Sequence, residues 1–130
     1  MLIRYLEHVV TDIMLSPELQ QLNLQCRAFI TTLIHADVAH DITHIERVVR
    51  VAIKLCDAEQ ANMKVVLPAA WLHDCVAVAK NRPDRAKAST MAADKAIAFL
   101  ASINYDAQLF TQIHHAIAAH SFSANIKVNS

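Results

Sequence analysis

The sequence has no glycine and few aromatic residues, and both shortages restrict the folds open to it. Average glycine usage near ~7% would give roughly nine in a chain of this length, whereas these 130 residues contain none. Few positions can then adopt a left-handed backbone, which disfavours tight β-hairpins. Long runs of Ala, Leu, Ile and Val, in a composition that is 55% hydrophobic, rule out disorder and favour an all-α fold.

The chain also has no excess of positive or negative charge. Lys and Arg total 12, as do Asp and Glu, so no overall field draws the chain to extended nucleic acid or to an anionic membrane. With only 5% aromatic residues, a nucleic-acid module has little support. No apolar run reaches the ~18 residues of a membrane span. Residues 1–15 mix charged with apolar side chains, unlike a signal peptide.

Cysteine is scarce, and its spacing predicts the redox compartment. Cys26, Cys56 and Cys75 are odd in number, widely spaced and in no CxxC arrangement. They are therefore expected to be reduced thiols of a cytoplasmic protein.

Start signals and apolar periodicity predict helices along the whole chain. After an amphipathic helix over residues 2–15, Ser16 and Pro17 form an N-cap and first helical position, predicting a helix from Pro17 to about Ile34. Further helices are predicted from Ser89 to Ser102 and from roughly Asp106 to His120. We expect one domain over residues 1–130, a bundle of about five helices.

Acidic and histidine side chains alternate between residues 37 and 44. Asp37, His40, Asp41 and His44 could lie as a stripe of potential ligands on one continuous helix. Alternatively, Asp41 is the N-cap of a helix beginning at Ile42, because Asp is among the best capping residues. We prefer the cap, which places His44 in the first helical turn beside an apolar stripe.

In the most apolar stretch, Val65–Ala79, the only side chains that can carry a charge near neutral pH are His73 and Asp74. As a helix it would be buried, with His73 in the middle of an apolar face and Pro68 near its start. A buried carboxylate is costly unless it is paired or bound to a cation. The pair is thus equally consistent with a metal site and with a hydrogen-bonded core histidine next to a helix-terminal Asp74.

Two further clusters could contribute to a site at His73 and Asp74. Residues 80–87, KNRPDRAK, carry a local charge of +3, which suits either a solvated loop or a loop that receives an anion. The last predicted helix carries His114, His115 and His120. Since His115 and His120 are separated by about 140° on an ideal helix, one of them is expected to face a site. Mixed imidazole and carboxylate ligands suit Zn, Mn, Fe or Ni better than Ca or Mg.

These motifs, in this order, resemble the HD-domain superfamily of metal-dependent phosphohydrolases, in its branch of small bacterial single-domain proteins. The segments are HDITHIERV, then HD closing an apolar helix, then KNRPDR and HAIAAHSFSA, spanning roughly residues 36–125. The resemblance implies an all-α bundle, with His44, His73 and Asp74 as metal ligands and Asp74 also catalytic. It implies a substrate side of the pocket that is lined by Lys80, Arg85, His115 and His120.

The resemblance also implies a fourth ligand, an aspartate on a later helix, and here the sequence departs from the family. It ends at SANIKVNS before such a helix, and Asp57, Asp94 and Asp106 do not stand at that position. We expect either a truncated form or substitution by water, His115 or His120, a buffer anion or a carboxylate of a second copy. Metal should bind more weakly, and a homodimer is expected to cover the incomplete core.

The function expected from the resemblance is hydrolysis of a phosphate ester or nucleotide pyrophosphate linkage. Its cofactor would be a divalent transition metal (Mn, Fe, Zn, Ni or Co, with Mn favoured for activity), and its partner a phosphorylated small molecule or nucleotide. The alternative is a catalytically impaired, truncated HD fold that binds a nucleotide or a protein. The missing aspartate favours this alternative, whereas the retained His44, His73 and Asp74 favour the enzyme.

Overall fold

A computed structural model describes residues 15–33, 38–76 and 85–119. Within these ranges the chain forms five α-helices, one 3₁₀ turn and no strand, which confirms the predicted all-α bundle. The helices are α1 (Pro17–Leu33), α2 (Val38–Glu59), α3 (Met63–Leu72), α4 (Arg85–Ser102) and α5 (Phe110–Ala118), and the 3₁₀ turn is Ala107–Leu109. The predicted helix over residues 2–15 lies outside the described residues. None of the described helices is both long and apolar enough to cross a membrane.

The short helix α3 is the centre of the bundle. It packs against all four other helices, and every residue from Leu67 to Leu72 is buried. Of the predicted buried stretch Val65–Ala79, burial is therefore confirmed for Leu67–Leu72, whereas Val65 and Val66 are half-buried and residues 77–79 lie outside the described part of the chain. The side chain of Trp71 donates its Nε1–H to Asn23 Oδ1 at 2.7 Å, which satisfies a buried donor and ties α3 to α1.

Capping side chains fix the helix starts. Ser16 Oγ accepts a hydrogen bond from Leu19 N at 3.3 Å, which confirms the predicted cap of α1. Asn62 Oδ1 accepts from Lys64 N at 3.0 Å at the start of α3. Asp106 Oδ1 accepts from Gln108 N at 3.0 Å, so the last helical segment begins where the sequence predicted.

Two helices end in a left-handed residue that is not glycine. Gln60 follows α2 with φ 56° and Asn104 follows α4 with φ 60°. At each end the next residue donates back five positions, Ala61 N to Cys56 O and Tyr105 N to Leu100 O, both at 3.0 Å. These are Schellman motifs, a type of helix end that usually places glycine at the left-handed position.

The predicted N-cap at Asp41 is wrong. Helix α2 begins at Val38 and continues through Asp41. An Asp inside a helix is less favourable than Ala by only about 0.7 kcal/mol, too little to end a helix whose following turns bury Ile42, Ile45 and Val49. Burial of this apolar face stabilises the longer helix by more than the preference of Asp for a cap position opposes it.

Pro68 lies in the interior of α3 rather than in its first turn. Its ring nitrogen has no proton and cannot donate the usual bond to the carbonyl of Lys64 four residues earlier. The Tyr105 hydroxyl donates to that same carbonyl oxygen at 2.7 Å. A side chain from the loop after α4 thus supplies the donor that proline removes from the helix.

Candidate functional site

His73 is placed by the end of α3. The helix stops at Leu72, and His73 is its C-cap residue, with φ −61° and ψ −20°. The side chain is half-buried, so the expected position in the middle of a helical apolar face is wrong. At this end the Cys75 amide donates to the Leu72 carbonyl at 3.2 Å, a tight turn that satisfies one carbonyl of the last helical turn.

The ring of His73 is held in a defined orientation. Its Nδ1 lies 2.7 Å from the carbonyl oxygen of Ala70. A carbonyl oxygen can only accept, so Nδ1 carries the proton and, in the neutral ring, the lone pair is on Nε2. Histidines that bind metals usually donate their other ring nitrogen to a carbonyl or carboxylate in this way.

Asp74 is exposed, so the expectation that its carboxylate is taken out of water is wrong. Asp74 follows the C-cap His73 in a turn. The continuous run of buried residues ends at Leu72, before both His73 and Asp74. An exposed carboxylate keeps most of its hydration and does not require a cation for stability. Its presence therefore no longer argues by itself for a bound ion.

His44 lies in the second turn of α2, not in the first as predicted, because the helix begins at Val38. Its side chain is exposed. Helices α2 and α3 pack together and are joined by residues 60–62, which makes them an antiparallel hairpin. At 1.5 Å per residue, His44 lies ~22 Å and His73 ~15 Å along the hairpin from that connection. Both residues are at the same end of the hairpin, with an axial offset of about 7 Å.

Among the residues that the structure describes, no group of three or more His, Cys, Asp or Glu side chains is arranged to hold a metal ion. The assignment of His44, His73 and Asp74 as ligands thus remains a prediction, as does the predicted transition metal. Of the other predicted residues, His115 is exposed on α5. Lys80, His120 and the side chain of Arg85 lie outside the described part of the chain.

His114 is engaged elsewhere. Its Nε2 lies 2.8 Å from Oδ1 of Asp94, so it joins α5 to α4. Both side chains are partly exposed, at 37% and 70%, and a pair this open to water adds little stability. Sequence spacing alone could not pair these two residues, which are 20 positions apart on different helices.

The thiols are free and buried, as expected for reduced cysteines. Burial raises the pKa of Cys26 to about 12 and that of Cys75 to about 11. Burial also raises the pKa of Cys56, and the nearby charge of Asp57 adds to that effect. A thiol with such a pKa is almost entirely protonated near neutral pH, so none of the three is an activated nucleophile.

Cys75 connects the His73–Asp74 turn to α4. Its Sγ lies 3.3 Å from the carbonyl oxygen of Ala92, to which it donates. The positive charge of Lys95, one turn further along α4, opposes the effect of burial on the pKa of this thiol. Sequence reasoning missed the effect of Lys95 on Cys75, because it depends on how α4 packs against this turn.

Comparisons with protein-family models, with curated proteins and with solved structures found no match.

Proposed function

We propose that this protein is a metal-dependent phosphohydrolase of the HD-domain type, acting in the cytoplasm on a phosphate ester or nucleotide pyrophosphate linkage. The observation that supports this most directly is the hydrogen bond from His73 Nδ1 to the Ala70 carbonyl, at 2.7 Å. It selects the tautomer whose Nε2 can act as a ligand, and it holds the ring in one orientation.

In this proposal His44, His73 and Asp74 hold a divalent transition metal, with Mn²⁺ favoured. The bound ion would lower the pKa of a coordinated water and polarise a phosphate oxygen. Two neutral imidazoles and one carboxylate contribute a single negative charge, which leaves the site attractive to an anionic substrate. Lys80, Arg85, His115 and His120 would meet the phosphate groups and orient the leaving group.

Metal binding and turnover test the proposal together. Purified protein is titrated with Mn²⁺ by calorimetry and assayed with p-nitrophenyl phosphate and nucleotides. The wild type should bind Mn²⁺ and turn over a substrate. His73→Ala and Asp74→Asn should each weaken Mn²⁺ binding and reduce turnover by about 100-fold or more, because each removes a direct ligand.

Asp57→Asn is the matched control, since Asp57 is an exposed carboxylate at the opposite end of the hairpin. It should leave both measurements unchanged. Wild-type protein that binds no Mn²⁺ and turns over no phosphate ester would overturn the proposal, as would equal effects of the substitutions at Asp57 and Asp74.

A second function has support of its own. The exposed Asp74 and the absence of a converged ligand group in the described residues favour a catalytically impaired HD fold that binds a nucleotide or a protein partner. Nucleotide binding without Mn²⁺-dependent turnover would identify this alternative.

The homodimer also stays a prediction. In the described part of the chain the large exposed apolar side chains are Leu24, Val51 and Met91. They lie on three different helices, α1, α2 and α4. Single apolar side chains on a surface are normal in monomers, so these three do not identify a dimer contact.

A further inference from the structure

Helix α2 carries a second apolar line, outside the face that it buries in the core. Val48, Val51 and Leu55 are spaced i, i+3, i+7, so their side chains follow one side of the helix over ~10 Å. Val51 is 40% exposed, and Val48 and Leu55 are half-buried. The line is therefore accessible to another molecule along two helical turns.

The other large apolar side chains that are exposed in the described residues, Leu24 and Met91, do not belong to such a line. At three and four positions on either side, each has only polar, charged or alanine side chains. Of the three exposed side chains, Val51 alone has large apolar neighbours on its own helix surface, so α2 is where an apolar contact could form.

Basic side chains run beside the apolar line. Arg47 lies four residues before Val51 and Lys54 three residues after it, so both are its neighbours on the helix surface. Both side chains are exposed, and neither forms an ion pair with another described residue. Residues 47–55 contain a third cation, Arg50, and no acidic residue. This side of α2 is therefore both apolar and positively charged.

The charges and the width of the line decide what fits it. In two copies packed through this line about a two-fold axis, Arg47 and Lys54 of both copies would share one interface, where like charges oppose binding. A helix that lies in a membrane surface has a large apolar face that commonly includes Trp or Phe, whereas this line has three aliphatic side chains. Apolar residues at alternating spacings of three and four are the pattern by which one helix packs against another.

We propose that this side of α2 docks an amphipathic helix of a partner protein whose apolar stripe is flanked by acidic side chains. The apolar stripe would pack along Val48, Val51 and Leu55, and its carboxylates would meet Arg47 and Lys54. None of these five residues is a predicted metal or substrate ligand. The proposal therefore holds whether or not the protein is a phosphohydrolase.

Binding of two synthetic helices to the full chain tests the proposal. The first is a fluorescein-labelled peptide of about 18 residues, with leucines at spacings of three and four and glutamates on both flanks. The second has lysine at every glutamate position. Fluorescence anisotropy should show that the wild type binds the glutamate peptide at least about tenfold more tightly than the lysine peptide.

The apolar line is tested by Val51→Glu. This substitution should weaken binding of the glutamate peptide by about tenfold or more, because it places a carboxylate in the middle of the line. Leu24→Glu is the matched control, since Leu24 is also an exposed apolar residue, on α1. It should leave the affinity unchanged.

The basic side chains are tested by the double variant Arg47→Gln with Lys54→Gln. Binding of the glutamate peptide should be weaker than in the wild type and less sensitive to salt, because two attractive charges are removed. Its control is Lys87→Gln with Lys95→Gln, which removes two exposed cations from α4. That control should bind the peptide with the affinity and salt dependence of the wild type.

The outcomes separate this proposal from its competitors. Wild type that binds neither peptide, or both equally, would overturn it. A dimer in sedimentation velocity that Val51→Glu dissociates would give the line to a second copy, and binding to anionic vesicles that is lost in Val51→Glu would give it to a membrane; either result also overturns it. Mn²⁺ binding and turnover should be the same in Val51→Glu as in the wild type, so either proposal can fail without the other.

Discussion

Removing the Tyr105 hydroxyl should lower the free energy of unfolding in the wild type but hardly at all once Pro68 is replaced by alanine. The hydroxyl donates to the Lys64 carbonyl at 2.7 Å, the carbonyl that Pro68 cannot reach from inside α3. In Pro68→Ala the backbone N–H of residue 68 returns and can donate to the same oxygen. The two donors are then alternatives for one acceptor.

The expected magnitude follows from one neutral hydrogen bond. Such a bond contributes about 1 kcal/mol, and more when an acceptor is left buried without a partner. Lys64 is an exposed residue, so water can partly replace the hydroxyl, and we expect about 1 kcal/mol for Tyr105→Phe. The effect of Pro68→Ala alone is not diagnostic, because the gained hydrogen bond and the lost packing of the buried ring oppose each other.

The assay is urea denaturation of the wild type, both single variants and the double variant. The one tryptophan, Trp71, is 3% exposed, so its fluorescence reports loss of the α3 environment. A coupling energy of about 1 kcal/mol exceeds the ~0.3–0.5 kcal/mol by which independent substitutions deviate from additivity. If Tyr105→Phe has the same effect in both backgrounds, the hydroxyl does not substitute for the missing amide and the reasoning is wrong.

Two further predictions concern the left-handed residues at helix ends and the cysteine and tyrosine side chains whose pKa is raised by burial. Gln60→Gly should raise the free energy of unfolding by about 0.5–1 kcal/mol, because a left-handed backbone disfavours a residue with a Cβ atom. Asn104→Gly should raise it less, because Asn tolerates that conformation. Urea midpoints measure both effects, and a Gln60→Gly protein no more stable than the wild type would contradict the strain argument. Stability should also fall at alkaline pH: in the native state the pKa of Cys26 is raised from 9.0 to about 12, that of Cys75 to about 11, and that of Tyr105 from 10.0 to about 12. The unfolded chain loses these protons first, so the stabilisation is complete below about pH 9 and declines as pH rises toward 12; urea midpoints that stay constant from about pH 8 to 11, or a Cys26→Ala variant with an undiminished decline, would refute it.

Much of the fold could be predicted from the sequence because it depends on local signals. Ser16 and Asp106 fix the starts of α1 and of the last helical segment, since each side chain accepts a hydrogen bond from an amide two or three residues away. The burial of α3 follows from a run with few polar side chains. The start of α2 was missed because the local preference of Asp41 for a cap was outweighed by burial that involves other helices.

The candidate site was less predictable because it depends on where helices end and meet. Assuming one helix across Val65–Ala79 made His73 a mid-helix residue and buried Asp74, whereas the end of α3 at Leu72 changes both environments. Pairing of His114 with Asp94 and the approach of Lys95 to Cys75 require the packing of α4 and α5. An interior proline does predict a carbonyl without its helical donor, but not that Tyr105 would supply one.

The central position of α3 has a consequence for how the molecule opens. This helix is only 10 residues long, too short to persist in water by itself. Helix α3 is stable because the other four helices pack around it, and each of them buries apolar surface against it. If any one of these helices separated from α3, part of the apolar surface of α3 would be exposed to water. A local opening near His73 should therefore lead to cooperative unfolding of the whole bundle.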